Sequence, residues 1–220
     1  MPVPNTAVCF IVGAGIVAPT LRLSPAPDDL LIAADGGLSA VELMGLTPHL
    51  VIGDFDSLGS TPTHPNTVVL PTEKDDTDMF AALKLGLDRG YRRFALYGGT
   101  GGRLAHTLAN LQLLTHLAQQ DCRGFLIGEG TVTTAVYRST LSFPAYMSGY
   151  LSLFCPGEPA RGVTLTGLKY PLTDATLTSD IPLGVSNEFT GVPARVTVRE
   201  GTLLALWQGE DVEAGLLRSL

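Results

Sequence analysis

The residues of this chain that could do chemistry lie mainly in its first half, as three acidic clusters and one glycine-rich loop. In chain order they are Asp35-Gly36-Gly37, Gly53-Asp54-Phe55-Asp56-Ser57, Glu73-Lys74-Asp75-Asp76-Thr77-Asp78 and Gly98-Gly99-Thr100-Gly101-Gly102-Arg103. Carboxylates are the ligands that hard cations such as Mg²⁺ prefer. A glycine loop that leads into a helix beginning with an arginine suits phosphate oxygens. Together these motifs predict a site for a metal-bound nucleotide.

Asp54 and Asp56 flank Phe55 directly after the apolar run Leu50–Gly53. If this stretch stays extended, side chains two residues apart share a face, so both carboxylates point the same way and Phe55 points into the core. The position is the carboxyl end of a predicted strand, where parallel sheets place their ligands. The alternative is a solvated turn in which Asp-x-Asp-Ser satisfies local backbone donors, and the residues alone do not decide between the two.

The third cluster is predicted to lie where a helix begins. Asp75 is the predicted N-cap, because acids in the first turn complement the helix dipole and cap free N–H groups. Asp78 needs another reason, since its face of the helix is shared with the core, and convergence with a carboxylate from a second loop on one cation would supply it. Asp35 ends another predicted strand before two glycines, which permits a close backbone approach, although a lone Asp-Gly-Gly is more often a turn.

The glycine loop 98–102 follows the predicted strand Phe94–Tyr97. It has neither the Lys-Ser/Thr pair of a P-loop nor the spacing of a dinucleotide turn. It still offers N–H groups at a helix N-terminus and the guanidinium of Arg103 for bidentate phosphate contact. Arg103, His106 and Asn110 fall at i, i+3 and i+7, which predicts one polar stripe. Four glycines in five positions are costly in backbone entropy, which favours a functional loop over a simple turn.

A competing motif lies nearer the N-terminus. Gly13-Ala14-Gly15-Ile16-Val17-Ala18 matches G-x-G-x-x-A after a predicted strand, and Asp35 follows at a separation that suits a ribose acid. This pattern would indicate a dinucleotide-dependent oxidoreductase. However, Pro19, Pro25 and Pro27 leave no room for the long helix that should hold the pyrophosphate. The acidic clusters would also go unused.

The elements that must position these motifs alternate over the first 130 residues or so between apolar runs and helix-like segments. The predicted strands are Ala7–Val12, Leu30–Ala34, Leu50–Ile52, Thr67–Leu70, Phe94–Tyr97 and Phe125–Ile127, and the predicted helices are Leu38–Leu46, Asp76–Arg89 and Arg103–Gln120. Continuous apolar runs are typical of strands buried on both faces. Their alternation with helices predicts an α/β domain with a parallel, three-layer architecture over residues 1–135.

The second half of the chain has a different texture. Its β-branched, alternating segments are separated by Pro, Gly and Asp turn signals, and no helix-period stretch interrupts them. The predicted strands are Thr131–Tyr137, Tyr150–Phe154, Gly162–Thr166, Arg195–Arg199 and Thr202–Trp207. We therefore predict that the α/β domain is followed by an all-β sandwich domain over residues 140–220.

Composition argues against several classes of function and location. The chain of 220 residues has a net charge of −7, which argues against a nucleic-acid or anionic-membrane surface. Cys9, Cys122 and Cys155 are odd in number and widely spaced, which favours free thiols in a reducing cytosol over disulfides or a zinc site. The N-terminus lacks the basic region of a signal peptide, and no apolar run reaches transmembrane length. A cytoplasmic protein is the expectation.

The motifs resemble those of the thiamine pyrophosphokinase (thiamine diphosphokinase) family. They are Ala34-Asp35-Gly36-Gly37, Pro48-His49-Leu50-Val51-Ile52-Gly53-Asp54-Phe55-Asp56-Ser57, Lys74-Asp75-Asp76-Thr77-Asp78, the glycine loop through Arg103, Gly167-Leu168-Lys169-Tyr170-Pro171-Leu172 and Ser186-Asn187-Glu188. The resemblance implies an α/β catalytic domain that binds ATP and Mg²⁺, a β-sandwich that binds thiamine, and a homodimer with its active site between subunits. The implied reaction transfers the β,γ-pyrophosphoryl unit of ATP to the hydroxyethyl group of thiamine, giving thiamine diphosphate and AMP.

The resemblance also implies roles for individual residues. It implies that Asp54, Asp56 and Asp78 hold Mg²⁺ and act in catalysis. The implied ATP contacts are Asp35, Lys74, Thr77, Gly99, Arg103 and His106. The implied thiamine contacts are Tyr170, by stacking, and Ser186 with Asn187. An aromatic face suits the thiamine cation physically, although without the resemblance Tyr170 would read as a strand-edge aromatic and Ser186-Asn187 as a plain turn. Either Asp54 or Asp78 is a candidate acceptor for the hydroxyl proton.

One position departs from the family pattern. The family usually has Gly-Arg-x-Asp-His at the start of the helix, and this chain has Ala105 where the aspartate stands. A missing carboxylate weakens a metal or orientation contact unless water or a neighbouring acid replaces it. A second hypothesis is therefore a non-catalytic relative that binds thiamine or thiamine diphosphate without turnover.

Overall fold

A computed structural model describes residues 3–56, 61–73, 75–209, 212 and 217–218 of the chain. In chain order its elements are β1 (Cys9–Val12), β2 (Leu30–Ala34), α1 (Gly37–Leu43), β3 (Leu50–Gly53), β4 (Thr67–Val69), α2 (Asp78–Asp88), β5 (Arg93–Tyr97), α3 (Leu104–Gln119), β6 (Arg123–Gly128), β7 (Thr131–Tyr137), β8 (Thr140–Phe143), β9 (Tyr150–Phe154), β10 (Ala160–Thr166), β11 (Leu172–Leu177), β12 (Asn187–Glu188), β13 (Ala194–Thr197) and β14 (Thr202–Gln208). Among the described residues, every strand and helix predicted from the sequence has a counterpart in this order.

A large sheet contains ten strands in the order β12-β9-β14-β7-β6-β5-β1-β2-β3-β4. The strands from β6 to β4 pair in parallel, and those from β6 to β12 pair antiparallel. Every residue of β1, β2, β3 and β5 is buried, as expected for strands covered on both faces. Helices α2 and α3 cover one face, where Leu83 and Leu114 pack, and Val41 of α1 packs on the other. This confirms the predicted three-layer α/β architecture.

A small antiparallel sheet, in the order β11-β10-β13-β8, packs against the antiparallel end of the large sheet. Aromatic rings fill the space between them: the ring centroids of Phe143 and Trp207 lie 5.2 Å apart, and those of Phe125 and Trp207 lie 6.4 Å apart, both edge to face. Such pairs add to the stabilisation from burial alone. The predicted β-sandwich is confirmed. The large sheet is shared by both predicted domains, because β7 continues it across the boundary and β14, β9 and β12 extend it further.

Three short strands were not predicted from the sequence. β12 has only two residues, too few to show an alternation, and the alternation of β8 between exposed polar and buried apolar residues extends over only four residues. β11 is mostly exposed and contains Asp174 in a left-handed conformation (φ +49°), and its pairing with β10 is irregular. An exposed edge strand of this kind lacks the apolar face by which a strand is recognised.

Residues 13–29, all of them described, contain no helix. This agrees with the prediction that three prolines would prevent the long helix of a dinucleotide-binding fold. Of the helices in the described part of the chain, none has both the length and the apolar character needed to span a bilayer.

The buried carboxylate of Asp29 ties the start of the chain to a residue near its end. Asp29 is 3% exposed and accepts hydrogen bonds from the backbone N–H groups of Val8 (2.8 Å) and Ala26 (2.7 Å). It also accepts two from the guanidinium of Arg218, at 2.7 and 3.1 Å. Burial raises the pKa of this carboxyl, but the hydrogen bonds from Arg218 and the backbone outweigh burial and hold the pKa below its ordinary value.

We expect Asp29→Asn to destabilise the protein by about 3 kcal/mol at neutral pH, because it leaves the partly buried Arg218 without its counter-charge. Since the folded pKa of Asp29 is lowered, its contribution is present above the unfolded pKa of about 4 and is lost as the pH falls through the folded value. Urea unfolding of both proteins at pH 7 and near pH 3 would measure this. The difference should shrink at the lower pH, and the adjacent exposed substitution Asp28→Asn should cost little at either.

Candidate active site

A cavity of about 490 Å³ lies at the carboxyl ends of the central parallel strands. Its lining comes from the segments that follow β1, β2, β3 and β5 and from the start of α2. This is the edge of an open α/β sheet where ligands bind. The lining residues predicted from the sequence as site residues are Asp35, Asp54, Asp56, Thr77, Asp78, Gly99, Arg103 and His106.

The segment after β3 presents two carboxylates in a way that differs from the expected extended chain. β3 ends at Gly53, and Phe55 adopts a left-handed conformation with φ +58°. Phe55 is 3% exposed, as predicted, so its ring anchors the turn in the core while Asp54 and Asp56 line the cavity. The backbone N–H of Asp56 also donates a hydrogen bond of 3.3 Å to Oδ1 of Asp54. A buried aromatic in a kinked turn, rather than strand alternation, therefore directs both carboxylates to the cavity.

The segment after β2 approaches the same point. Asp35 also has a left-handed backbone (φ +49°), and its N–H donates to the carbonyl oxygen of Ile52 at 2.8 Å. A Cβ at Gly53 would lie 3.1 Å from the Cα of Asp35, so the two segments are in close backbone contact. The carboxylate of Asp35 is thereby held beside the Asp54–Asp56 turn.

At the start of α2 the N-cap is Thr77, which corrects the prediction of Asp75. Thr77 is extended (φ −74°, ψ 155°), and its hydroxyl accepts a hydrogen bond from the N–H of Phe80 at 3.2 Å. Helix α2 begins at Asp78, whose carboxylate is in the first turn and lines the cavity. Asp76 lines it too, but it forms an ion pair with Lys84. Lys74, an expected ATP contact, and Ser57 of the second acidic motif lie outside the described residues.

The glycine loop after β5 packs directly on the Gly13–Gly15 turn after β1. The N–H groups of Gly13 and Gly15 donate to the carbonyl oxygens of Tyr97 and Gly98, both at 2.8 Å. A Cβ on Gly15 would lie 2.6 Å from the Gly98 carbonyl oxygen, closer than real Cβ atoms come. The Gly-Ala-Gly motif that suggested a dinucleotide turn therefore belongs to the same cavity. The signal that could have shown this is the strand order, because β1 and β5 are neighbours in the sheet and the turns that follow them lie side by side.

We expect Gly98→Ala to destabilise the protein by about 2–4 kcal/mol, because Gly98 has φ +62° and its Cβ would lie 2.3 Å from the carbonyl oxygen of Gly13. Gly102→Ala is a matched control in the same loop, since no atom lies within 4 Å of its Cβ position. Its effect should stay within about 0.5 kcal/mol. Chemical unfolding of the two variants would contradict this account if both lost the same stability.

Helix α3 starts one residue later than predicted, at Leu104, with Arg103 as the extended N-cap. The guanidinium of Arg103 is hydrogen-bonded to the ring of His106, and both side chains are exposed at the cavity. Asn110, the third member of the predicted polar stripe, is instead 5% exposed, and its Nδ2 donates to the carbonyl oxygen of Gly99 at 2.8 Å. Asn110 therefore fixes the glycine loop from below, a role that the sequence did not indicate.

The donor set of the cavity fits Mg²⁺ in the way this ion usually binds. Five carboxylates line it, one of them the ion-paired Asp76, together with the glycine loop and one guanidinium. In the described part of the chain, no three His, Cys, Asp or Glu side chains are grouped to enclose a metal on their own. Mg²⁺ is normally held by one or two carboxylates, with water and substrate phosphates completing its shell. The cavity therefore suits a cation that is bound jointly by the protein and a polyphosphate.

The three residues expected to contact thiamine lie in the β-rich half and do not line this cavity. Tyr170 is 57% exposed, and the ammonium of Lys169 lies 5.5 Å from the centroid of its ring. Ser186 has a left-handed backbone (φ +58°), and its N–H donates to Oγ of Ser152 at 3.0 Å. Asn187 is 4% exposed and begins β12, so this segment is not a plain turn. The structure thus separates the expected site residues into two groups.

Together, the fold and the cavity define a class of protein. The cavity combines a glycine loop at a helix N-terminus with carboxylates at the ends of neighbouring parallel strands. This combination is typical of enzymes that transfer phosphoryl or pyrophosphoryl groups. The β-sandwich that follows is an additional module with its own exposed aromatic residue.

Comparisons with known proteins identify a family within this class. Residues 25–126 match the model of the thiamin pyrophosphokinase catalytic domain, and residues 138–203 match that of the thiamin pyrophosphokinase vitamin B1 binding domain. Thiamine pyrophosphokinase of Bacillus subtilis is 28% identical over 194 residues, which is 80% of this chain and 86% of that protein.

Solved structures agree. The crystal structure of the Bacillus subtilis enzyme superposes with a TM-score of 0.80 at 25% identity, covering 93% of this chain and 100% of that one. That of thiamin pyrophosphokinase from Geobacillus thermodenitrificans gives 0.78 at 29% identity, with 94% and 99% covered. The chain belongs to the thiamine pyrophosphokinase family. The comparisons favour neither a dinucleotide-dependent oxidoreductase nor a non-catalytic relative.

Proposed function

We propose that this protein is a Mg²⁺- and ATP-dependent thiamine diphosphokinase. It transfers the β,γ-pyrophosphoryl unit of ATP to the hydroxyl of the hydroxyethyl group of thiamine and releases AMP. The observation that carries the proposal is the convergence of Asp35, Asp54, Asp56 and Asp78 with the glycine loop in one cavity. Family membership supplies the acceptor, and the cavity supplies what a polyphosphate donor needs.

In this proposal the cavity residues position the substrates and neutralise their charge, and none of them acts as a nucleophile. Asp54, Asp56 and Asp78 hold Mg²⁺, which when bound offsets the charge of the phosphate oxygens. Arg103 and the backbone at Gly99 orient the phosphates, with Asp35, Thr77, His106 and Lys74 as the further ATP contacts. A bond forms between the thiamine oxygen and the β-phosphorus, and the bond from the β-phosphorus to the oxygen of AMP breaks. A carboxylate, Asp54 or Asp78, takes the hydroxyl proton. Alignment and charge stabilisation carry such a reaction.

The β-sandwich supplies the thiamine contacts. The exposed ring of Tyr170 offers an aromatic face to the thiamine cation, a contact that contributes roughly 0.5–2 kcal/mol. Lys169 lies over this ring, but its charge is balanced by Glu188, whose Oε1 is 2.7 Å from its ammonium. Ser186, which is exposed, is the further contact. We assign ATP binding to residues 1–135 and thiamine binding to residues 140–220.

We further propose a homodimer in which each active site combines the cavity of one copy with the Tyr170 region of the other. All residues described as lining the cavity lie between Gly13 and Asn110, so within one chain Tyr170 does not reach it. Apolar side chains are also exposed on both surfaces that the dimer would bring together: Leu104 and Leu108 on α3, and Tyr150, Phe154, Leu183 and Val185 on the sandwich. Contiguous exposed apolar surface marks interaction sites.

The three cysteines support a location in the reducing cytoplasm. Cys9, Cys122 and Cys155 are all free and buried. Burial raises the pKa of the Cys9 and Cys122 thiols, so both are protonated and poor nucleophiles at neutral pH. They are structural residues, and chemistry in this protein falls to the carboxylates.

The decisive experiment incubates purified protein with ATP, MgCl₂ and thiamine and measures AMP and thiamine diphosphate by chromatography. We expect the two products in equal amounts, with no AMP above background when thiamine is left out or Mg²⁺ is chelated. Absence of thiamine-dependent AMP would refute the proposal. If calorimetry then showed tight thiamine binding, the protein would be a non-catalytic binder, and restoring the family carboxylate by Ala105→Asp would test whether Ala105 is the cause.

A further inference from the structure

Three of the four hydrogen-bonding positions of the Asn187 side chain are used by the backbone of Tyr170 and Glu188. Its Oδ1 accepts the N–H of Tyr170 at 2.9 Å and also that of Glu188 at 2.9 Å. Its Nδ2 donates to the carbonyl oxygen of Tyr170 at 2.7 Å. The residue is 4% exposed. An amide that is buried and already hydrogen-bonded at both ends has little left to offer a ligand.

The surrounding contacts show why a side-chain amide is needed here. Residues 168–170 run beside residues 187–189: Leu168 bridges Phe189, and the N–H of Lys169 donates to the carbonyl oxygen of Glu188 at 3.0 Å. The backbone of Asn187, however, pairs with Leu151 of β9. Its side-chain amide, which has the donor and acceptor of a peptide group, supplies the partners for Tyr170 instead.

The side chain of Tyr170, in contrast to its backbone, is largely exposed. Tyr170 is 57% exposed, and the ammonium of Lys169 lies 5.5 Å from the centroid of its ring. Pro171 follows it and has no N–H with which to extend the ladder. The two hydrogen bonds from Asn187 thus hold the backbone from which this exposed ring projects.

We infer that Asn187 is a positioning residue, which fixes the backbone of Tyr170 and thereby presents its ring to the substrate, and that Asn187 itself does not contact thiamine. The inference rests on the proposed function, because Tyr170 is taken to stack on the thiamine cation. An aromatic residue held in place before binding loses less conformational freedom when the ligand arrives. Loss of Asn187 should therefore weaken thiamine binding through Tyr170 and leave the ATP side of the reaction largely unaffected.

A double-mutant cycle separates positioning from direct contact. For Asn187→Ala we expect the KM for thiamine to rise about tenfold, with kcat reduced less than threefold and the KM for ATP unchanged. In a Tyr170→Ala background the same substitution should change the KM for thiamine by less than about twofold. Ser186→Ala is the matched control, because this neighbouring residue is a proposed direct contact. Its effect should be the same in both backgrounds.

Asn187→Asp keeps the acceptor but places a carboxylate oxygen against the carbonyl oxygen of Tyr170, so we expect the KM for thiamine to rise in this variant as well. It also serves as the second variant if Asn187→Ala folds poorly. Equal effects of Asn187 substitution with and without Tyr170, or no effect of Tyr170→Ala on its own, would overturn the inference. Wild-type enzyme assayed in parallel distinguishes failure of the proposed function from failure of the inferred role of Asn187. If wild type itself forms no thiamine-dependent AMP, the proposed function is wrong.

Discussion

Asparagine in place of Asp54 or Asp78 is expected to lower kcat for thiamine-dependent AMP formation by about 100-fold or more. The two carboxylates come from different segments, the turn after β3 and the first turn of α2, yet line one cavity. Each substitution removes a full negative charge from the proposed Mg²⁺ site while preserving side-chain shape. The Mg²⁺ concentration needed for half-maximal rate should rise in both variants, which a titration at saturating ATP and thiamine would measure.

Asp76→Asn is the control that matches this prediction most closely. Asp76 lines the same cavity, but its charge is already balanced by Lys84. We expect its kcat to fall by less than about fivefold, in keeping with the small contribution of an exposed ion pair. If Asp76→Asn were as damaging as the other two, net charge in the cavity would explain the results better than metal ligation. If Asp54→Asn and Asp78→Asn kept most of their activity at ordinary Mg²⁺ concentrations, the proposed metal site would be wrong.

The second large effect that we expect is a recovery of activity when two impaired variants, Asp54→Asn and Tyr170→Ala, are combined in one dimer. Asp54→Asn impairs the cavity, and Tyr170→Ala impairs the proposed thiamine contact, so each homodimer should be weakly active at thiamine concentrations below KM. Random mixing of the two chains makes half of the dimers mixed, and each mixed dimer has one site with both native residues. About one quarter of wild-type activity should therefore return after co-expression or joint refolding.

Mixing Asp54→Asn with Asp78→Asn provides the control for this experiment. Both residues belong to the same cavity of one chain, so no mixed dimer gains an intact site and no activity should return. If Asp54→Asn and Tyr170→Ala likewise failed to complement each other although mixed dimers were shown by mass spectrometry, the active site would lie within one chain. Recovery in that mixture alone would establish that the site is shared.

The parts of the fold predicted from the sequence are those decided by local patterns. Continuous apolar runs such as Leu30–Ala34 and Phe94–Tyr97 are strands because both faces of the sheet are covered. The start of α2 shows the limit of such reasoning. Asp75 and Thr77 are both acceptable N-caps, and the choice of Thr77 depends on which residue is extended in the folded chain. β12, with two residues, is a strand only by virtue of its pairing with β9, which is distant in sequence.

The candidate site shows a similar division. The sequence was enough to predict that the carboxylates and the glycine loop lie close together, because the ends of parallel strands meet at one edge of a sheet. The buried roles of Asn110 and Asn187 could not, since each depends on a backbone partner 11 or 17 residues away. A polar residue that is buried in this way looks, in the sequence, like any exposed polar residue. The Gly13–Gly15 turn matches the motif of a competing fold, and its contact with Gly98 is visible only in three dimensions.

The unbroken hydrogen bonding from β5 through β6, β7 and β14 also limits how the protein can move. A hinge between the two halves of one chain would have to break this ladder, in which β7 and β14 alone are paired over seven residues. Domain rotation of the kind that closes many kinases has no pivot here.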